Sequence, residues 1–196
     1  MKTRDLILTA LFAALTAIGA FLRVPTPISS FTLQMFFTFM AGVLLGPRLG
    51  ALSQAIYVVL GLAGLPIFTG GGGLGYVLQP TFGFLLGLIP MAAVTGALSR
   101  RLGHGFGALC LSCLAGVPVL YLIGLPYMHL VLTLYLHKAQ TIGQTLMGGM
   151  VIFLPWDALK IVAAAALGHQ LAPRLARAGG ASTAAARSGG SAPTEG

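Results

Sequence analysis

The sequence predicts an all-α integral membrane protein, a compact bundle of six transmembrane helices with both termini in the cytoplasm. Hydrophobic residues occupy 57% of the 196 positions, charged residues only 7%, and the mean hydropathy is +0.93. A water-soluble domain needs more polar surface than this composition supplies. The apolar residues also form blocks of roughly twenty, the length that a helix needs to cross a hydrocarbon core about 30 Å thick.

Prolines, glycines and basic residues separate these apolar blocks, and such residues break helices or face water. We predict spans at residues 6–22, 33–46, 51–65, 76–98, 106–127 and 145–171, with an outer, partly interfacial loop before the last one. The six spans make one membrane domain, residues 1–177. Residues 178–196 are rich in Gly, Ala, Ser and Thr, so we expect a disordered low-complexity tail.

The basic residues predict the orientation of the bundle. If six helices alternate in direction, Arg23 and Lys138 fall on the outer side. The inner side receives Lys2, Arg4, Arg48, Arg100, Arg101, Arg174, Arg177 and Arg187. Cytoplasmic loops of membrane proteins carry an excess of Lys and Arg, so both termini are predicted to be cytoplasmic. Because these residues are scattered at helix ends, the net charge of +8 does not indicate a nucleic-acid-binding surface.

A charged pair in the last span is the strongest candidate for a functional site. Asp157 is the one carboxylate within the apolar spans, and Lys160 follows it on the same helix face. Each costs about 2.5–3.5 kcal/mol near the middle of a membrane helix, so the pair needs a partner or a wet cavity. The two side chains either neutralise each other or share hydrogen bonds with a polar ligand, and we favour the ligand. Trp156, beside them, is either an interfacial anchor or a wall of that cavity.

The glycine run between the third and fourth spans is a second candidate. Gly70, Gly72 and Gly75 formally match G-x-G-x-x-G, but no strand precedes them, so a dinucleotide site is excluded. Glycines let a ligand approach the backbone closely, and Tyr76 and Gln79 follow directly to stack and hydrogen-bond. An ordinary flexible loop explains the glycines equally well.

Small residues elsewhere have two readings. Ala10 and Ala14, with Ala13 and Ala17, form two small-x-x-x-small pairs on the first helix, which suit either internal helix packing or a partner surface. The C-x-x-C at residues 110–113 lacks a second Cys/His pair at zinc-ligand spacing, so we interpret it as helix packing and expect no metal site.

Three motifs occur in order along the chain. Pro27-Ile28 precedes Thr32-Leu33-Gln34, then Gly72-Gly73-Leu74-Gly75-Tyr76 precedes Pro80-Thr81 and Gly83-Phe84, and the last motif is Leu154-Pro155-Trp156-Asp157-Ala158-Leu159-Lys160. Over about residues 5–172 the chain therefore resembles the BioY family, the biotin-binding S-components of energy-coupling factor (ECF) transporters.

This resemblance implies a transport protein and not an enzyme. It implies that the chain captures biotin at the outer face of the bacterial cytoplasmic membrane and delivers it inward, together with the transmembrane coupling subunit and paired ATPases of an ECF module. The biotin site implied comprises Asp157, Lys160, Tyr76, Gln79, Gly73, Gly75 and Trp156. The coupling subunit would contact Ala10, Ala13, Ala14 and Ala17. No cofactor is expected, because the chain lacks G-x-x-x-x-G-K-[ST] and ATP would be hydrolysed by the partner subunits.

Other functions remain as alternatives at this point. The chain could be an S-component for another vitamin, or a purely structural membrane subunit. A homo-oligomer is a further possible partner state of the transport protein. It could also be an intramembrane enzyme that uses Asp157 as acid or base. No Ser/His pair at a plausible spacing and no H-E-x-x-H accompanies that carboxylate, which argues against the enzyme.

Overall fold

Helices account for most of the computed structural model, which describes residues 3–25 and 30–188. The α-helices of this part of the chain are α1 (Thr3–Phe21), α2 (Gln34–Leu45), α3 (Pro47–Leu62), α4 (Phe82–Leu102), α5 (Phe106–Leu130), α6 (Ile142–Leu146) and α7 (Leu154–Ser188). A π-helical segment follows each of α5 and α6, Val131–Tyr135 after α5 and Met147–Val151 after α6. A 3₁₀ turn, Leu74–Leu78, precedes α4.

Four helical stretches of this described part are long and apolar enough to cross a membrane, namely Thr3–Phe21, Phe82–Leu102, Phe106–Tyr135 and Ile142–Arg174. The helices α2 and α3 are apolar but shorter, with 12 and 16 residues. Each of the six predicted spans thus corresponds to one helical stretch, and the prediction of an all-helical fold is confirmed.

Large apolar side chains cover the outside of these helices. Leu122 is 74% exposed, Leu134 70% and Ile7 62%. Exposed apolar patches of this extent are unfavourable in water, whereas the hydrocarbon of a bilayer solvates them. The chain is a multi-pass membrane protein.

The observed helix limits differ from the predicted ones at the third to sixth spans. The third runs from Pro47 to Leu62 and not over residues 51–65, because a proline is favourable in the first turn of a helix. The fourth span begins at Phe82 and not at residue 76, because the intervening residues form the 3₁₀ turn. The fifth continues through Pro126 to Tyr135, since neighbouring groups in a membrane bundle can satisfy the backbone that a proline frees. The sixth begins at Ile142, where Thr141 and Gln144 form a reciprocal capping box. The predicted outer loop is correspondingly short.

The C-terminal helix does not break at the predicted domain boundary. Its backbone is helical from Leu154 through residue 177 to Ser188. The last part of the predicted tail, residues 189–196, lies outside the described residues. The division into a membrane domain and a disordered tail therefore stays a prediction.

A two-stranded sheet connects α1 to α2. The strand β1 (Arg23–Pro25) pairs antiparallel with β2 (Ser30–Thr32), and Arg23 is opposite Thr32. Prolines favour an extended backbone here, but they do not specify the pairing of the two strands. The sheet fixes Arg23 and Thr32 side by side at the end of the bundle where α1 ends and α2 begins.

Glycines bring the helix backbones into contact at the opposite end. A Cβ atom on Gly42 of α2 would lie 2.7 Å from the carbonyl oxygen of Ala92 in α4. One on Gly96 would lie 2.6 Å from the carbonyl carbon of Gly46. Small residues permit this close approach. The resulting van der Waals contacts hold the helices together in lipid, where the hydrophobic effect does not drive helix association. The thiol of Cys113 is buried in the same core, as the packing interpretation of the cysteines expects.

The alanines of α1 lie on two different faces. Ala10 and Ala14 are exposed, whereas Ala13 is buried and Ala17 is half-buried. Residues four apart share a helix face, and the second pair therefore packs inside the chain. The prediction that all four face a partner is wrong for Ala13, and only Ala10 and Ala14 offer an exposed small-residue face.

Candidate ligand-binding site

A cavity of about 280 Å³ opens at the end of the bundle that carries the small sheet. This volume is near the lower limit of about 300–1,000 Å³ for small-molecule sites. Its polar lining consists of Arg23, Thr32, Gln34, Thr69, Tyr76, Gln79, Thr81, Tyr121, Asp157 and Lys160. Its remaining lining consists of Met35, Gly70, Phe84, Leu85, Leu88, Leu120, Gly149 and Phe153.

The charged pair lies in the first two turns of α7, with Asp157 only 3% exposed. The Nζ atom of Lys160 donates to Oδ1 of Asp157 over 3.1 Å. The hydroxyl of Tyr121, on α5, donates to Oδ2 of the same carboxylate over 2.5 Å. The pair is therefore partnered, but it also forms part of the cavity surface. A carboxylate has about four acceptor positions, so Asp157 can still accept hydrogen bonds from a ligand.

The aromatic wall of the cavity comes from the segment before α4. Tyr76 is buried, and its hydroxyl lies 2.8 Å from Oγ1 of Thr69. Its ring packs against Phe68, with 4.6 Å between the ring centroids. Gln79, one turn further along, is exposed and lines the same cavity. Tyr76 is therefore held in place, whereas the amide of Gln79 faces the opening.

Three of the predicted site residues do not line the cavity. Gly73 adopts φ +95°, and its N–H donates to the carbonyl of Gly61 over 2.7 Å, so it fixes the turn after α3. Gly75 has open space where a Cβ would lie. Trp156 is 51% exposed and packs on Phe31, with 5.7 Å between the ring centroids. The structure brings together Asp157, Lys160, Tyr76 and Gln79.

Sequence reasoning did not assign site roles to three further polar residues. Gln34 is buried at the start of α2, where its Nε2 donates to the hydroxyl of Tyr57 over 2.8 Å. Its presence in the early motif was the one available signal. Tyr121 lies among apolar residues of α5 with no neighbouring motif, and Arg23 had been explained by membrane topology alone. Only the fold brings these three residues to one cavity.

A second hollow, of about 500 Å³, lies on the outer surface of α5 and α6. Its walls are almost wholly apolar, and its polar contact is between Nδ1 of His129 and Oγ1 of Thr145 at 3.0 Å. No Asp, Glu, Lys or Arg lines it within the described residues. It therefore lacks the charged groups that would recognise a polar ligand.

An apolar helical bundle with a buried ion pair in an end cavity defines a multi-pass membrane protein with a small-molecule site. The model of the BioY family matches residues 1–177. The chain belongs to the BioY family, as its three motifs predict.

Individual relatives agree with this membership. The biotin transporter BioY of Rhizobium etli is 41% identical over 184 residues, which cover 86% of this chain and 93% of that protein. A probable biotin transporter BioY of Lysinibacillus sphaericus is 54% identical over 100 residues, about half of either chain. The crystal structure of the S-component for biotin from an ECF-type ABC transporter matches with a TM-score of 0.75, at 24% identity, over 87% of this chain and 94% of that one. This likeness shows a shared fold.

Proposed function

We propose that the chain is the biotin-binding S-component of an ECF transporter, which captures biotin at the outer face of the bacterial cytoplasmic membrane and delivers it inward. The observation that carries the proposal is the cavity in which a buried, partnered ion pair faces an apolar and aromatic wall. Membership in a family whose curated members are named biotin transporters supports this choice of ligand.

The chemistry of biotin matches the lining of this cavity. The ureido ring of biotin offers two N–H donors and a carbonyl acceptor, which complement the carboxylate of Asp157 and the ammonium of Lys160. The thiolane ring is apolar and suits the wall formed by Leu85, Leu88 and Leu120. The valerate is anionic, so it requires a hydrogen-bonding cation or water.

The orientation of the chain in the membrane follows from its basic residues. Arg100, at the end of α4, donates to the carbonyl of Leu45 over 2.9 Å, close in the chain to Arg48 at the start of α3. These basic residues lie at the end of the bundle away from the cavity. The positive-inside rule assigns that end, and with it both termini, to the cytoplasm. The cavity then opens to the outside.

Transport requires partners in this proposal. The chain contains no G-x-x-x-x-G-K-[ST] motif, so ATP would be hydrolysed by the ATPase subunits of an ECF module and no cofactor is bound here. The exposed alanines Ala10 and Ala14 give α1 a smooth face on which a transmembrane coupling subunit can pack closely.

The direct test is biotin binding by the purified protein, measured by isothermal titration for the wild type, Asp157→Asn and Lys160→Ala. We expect biotin to bind to the wild type without competition from thiamine or riboflavin. Both variants should bind at least tenfold more weakly, since each removes one charge-assisted hydrogen bond.

Two control substitutions separate the site from general charge effects. Asp5→Asn and Lys138→Ala also remove one charge each, but both residues lie outside the cavity. They should leave the affinity within twofold. Wild-type protein that binds thiamine and not biotin would redirect the proposal to another vitamin, and undiminished binding in both site variants would refute the assignment of the ion pair.

A further inference from the structure

Arg23 lines the mouth of the proposed biotin cavity and has no carboxylate partner. The carboxylates among the described residues are Asp5, at the start of α1, and Asp157, which pairs with Lys160. We propose that Arg23 binds the carboxylate of the ligand, so that the acid end lies at the mouth and the ureido ring lies against Asp157 and Lys160. This inference rests on the proposed function and adds the orientation of the ligand to it.

The charges of the cavity favour this orientation. Its lining contains two cations, Arg23 and Lys160, and one anion, Asp157, so its net charge is +1. The ammonium of Lys160 is already neutralised by a carboxylate 3.1 Å away. A second carboxylate placed there would be repelled by Asp157 at short range, whereas at Arg23 it meets an uncompensated positive charge.

The burial of Asp157 and the exposure of Arg23 favour the same orientation. Asp157 is only 3% exposed, whereas Arg23 is exposed. Removing a carboxylate from water costs far more than removing a neutral urea that keeps its hydrogen bonds. The anionic end is therefore more stable at the hydrated mouth, and the neutral ring at the buried floor.

The structure also holds Arg23 in position for this role. Its backbone pairs with Thr32 in the small sheet, and its guanidinium donates to the carbonyl of Thr69, across the mouth. A guanidinium has five N–H donors, and this contact uses one of them. The remaining donors can bind a carboxylate in the bidentate geometry that arginine favours.

The test compares two ligands that differ only at the acid end, biotin and its neutral primary amide. Titrations would use purified full-length wild type, Arg23→Gln, Lys160→Met and the control Lys138→Gln. We expect the wild type and the control to prefer biotin over the amide by about tenfold or more. Arg23→Gln should abolish this preference by weakening biotin alone, with its affinity for the amide unchanged.

Three results would overturn the orientation. If Arg23→Gln weakens biotin and the amide equally, Arg23 serves only to hold the loop at Thr69. If the preference survives in Arg23→Gln but is lost in Lys160→Met, the carboxylate lies at Lys160. A wild type that binds neither ligand would refute the proposed function along with the orientation, whereas the first two results leave biotin binding intact. A monodisperse elution profile and an unchanged unfolding midpoint would show that Arg23→Gln is folded.

Discussion

An inner cluster and a site cluster of polar side chains, both within the described residues, differ in charge and in the groups that satisfy their hydrogen bonds. The inner cluster joins α1, α2 and α3 through neutral groups. Gln54 accepts from Thr38 over 3.0 Å and donates to Thr16 over 3.2 Å and to Ser53 over 3.0 Å. All four residues are fully buried. The site cluster comprises Asp157, Lys160 and Tyr121, carries formal charges and borders a cavity.

This difference predicts that the inner cluster stabilises the fold and that the site cluster recognises a ligand. A neutral network that is satisfied within the chain joins helices in an apolar medium, where an unpaired polar group is costly. A buried ion pair adds little stability relative to well-packed apolar residues, although breaking it is costly. Substitutions in the inner cluster should therefore lower stability alone, whereas substitutions in the site cluster should lower affinity, and stability as well where they leave a buried charge unpaired.

The largest effect is expected from Lys160→Met, which leaves the carboxylate of Asp157 buried without its cation. The unfolding free energy should fall by about 3–5 kcal/mol, and biotin affinity should fall as well. Asp157→Asn combined with Lys160→Met should recover most of the stability, because no charge is then unpaired, but none of the affinity. Thermal unfolding in detergent and biotin titration would measure both quantities. A double variant as unstable as the single one would contradict the separation.

The next largest effect is expected from Gln54→Leu in the inner cluster. This change removes three hydrogen bonds among buried groups, so the unfolding free energy should fall by about 1–3 kcal/mol, although Thr16 and Thr38 keep their bonds to the carbonyls of Phe12 and Gln34. Biotin affinity should stay within twofold at a temperature where the variant is folded. Gln170→Leu, on the exposed side of α7, is the matched control and should change neither quantity. Loss of affinity without loss of stability would assign Gln54 to the binding site.

A smaller effect on affinity is expected from Tyr121→Phe. The ring stays in place, but Asp157 loses the hydroxyl that donates to Oδ2, and its orientation toward the cavity loosens. Biotin affinity should fall about tenfold, equivalent to about 1.4 kcal/mol. Tyr135→Phe, an exposed residue outside the cavity, should have no effect in the same titration. Equal affinities for both variants would show that this hydrogen bond only stabilises the fold.

The smallest effect is expected from Trp156→Ala. Its ring lies outside the cavity lining and is half exposed, so biotin affinity should change by less than about twofold. Phe153→Ala, one turn earlier in the chain, removes a ring that lines the cavity and should weaken binding about tenfold or more. If titrations show a larger loss of biotin affinity for Trp156→Ala than for Phe153→Ala, Trp156 belongs to the binding site.

The sequence predicted those parts of the site that depend on local geometry. Asp157 and Lys160 are three residues apart on one helix, so their pairing followed from helical periodicity alone. The hydroxyl of Tyr121 reaches Asp157 from a residue 36 positions away, and Arg23 reaches Thr69 across 46 positions. No local pattern encodes such separations, and tertiary packing is needed to reveal them.

The fold was predictable to the same extent as the site: local features could be predicted, and contacts between separate segments could not. Apolar blocks predicted the helices, because a span must be both long and hydrophobic. The helix ends were less predictable where prolines occur. The predicted fifth span ends at residue 127, next to Pro126, yet the helix continues, since a proline in a membrane bundle is tolerated. The antiparallel pairing of β1 with β2 depends on contacts between strands, which a single short segment does not specify.

The glycine contacts between α2 and α4 have a consequence for the route of a bound molecule. At Gly42 and Gly96 the two helices touch through their backbones, so no side chain there can rotate to open a path. A molecule held in the cavity therefore has no passage between α2 and α4 at the level of these glycines. In the proposed transport, inward release by this route requires that α2 and α4 separate as whole helices.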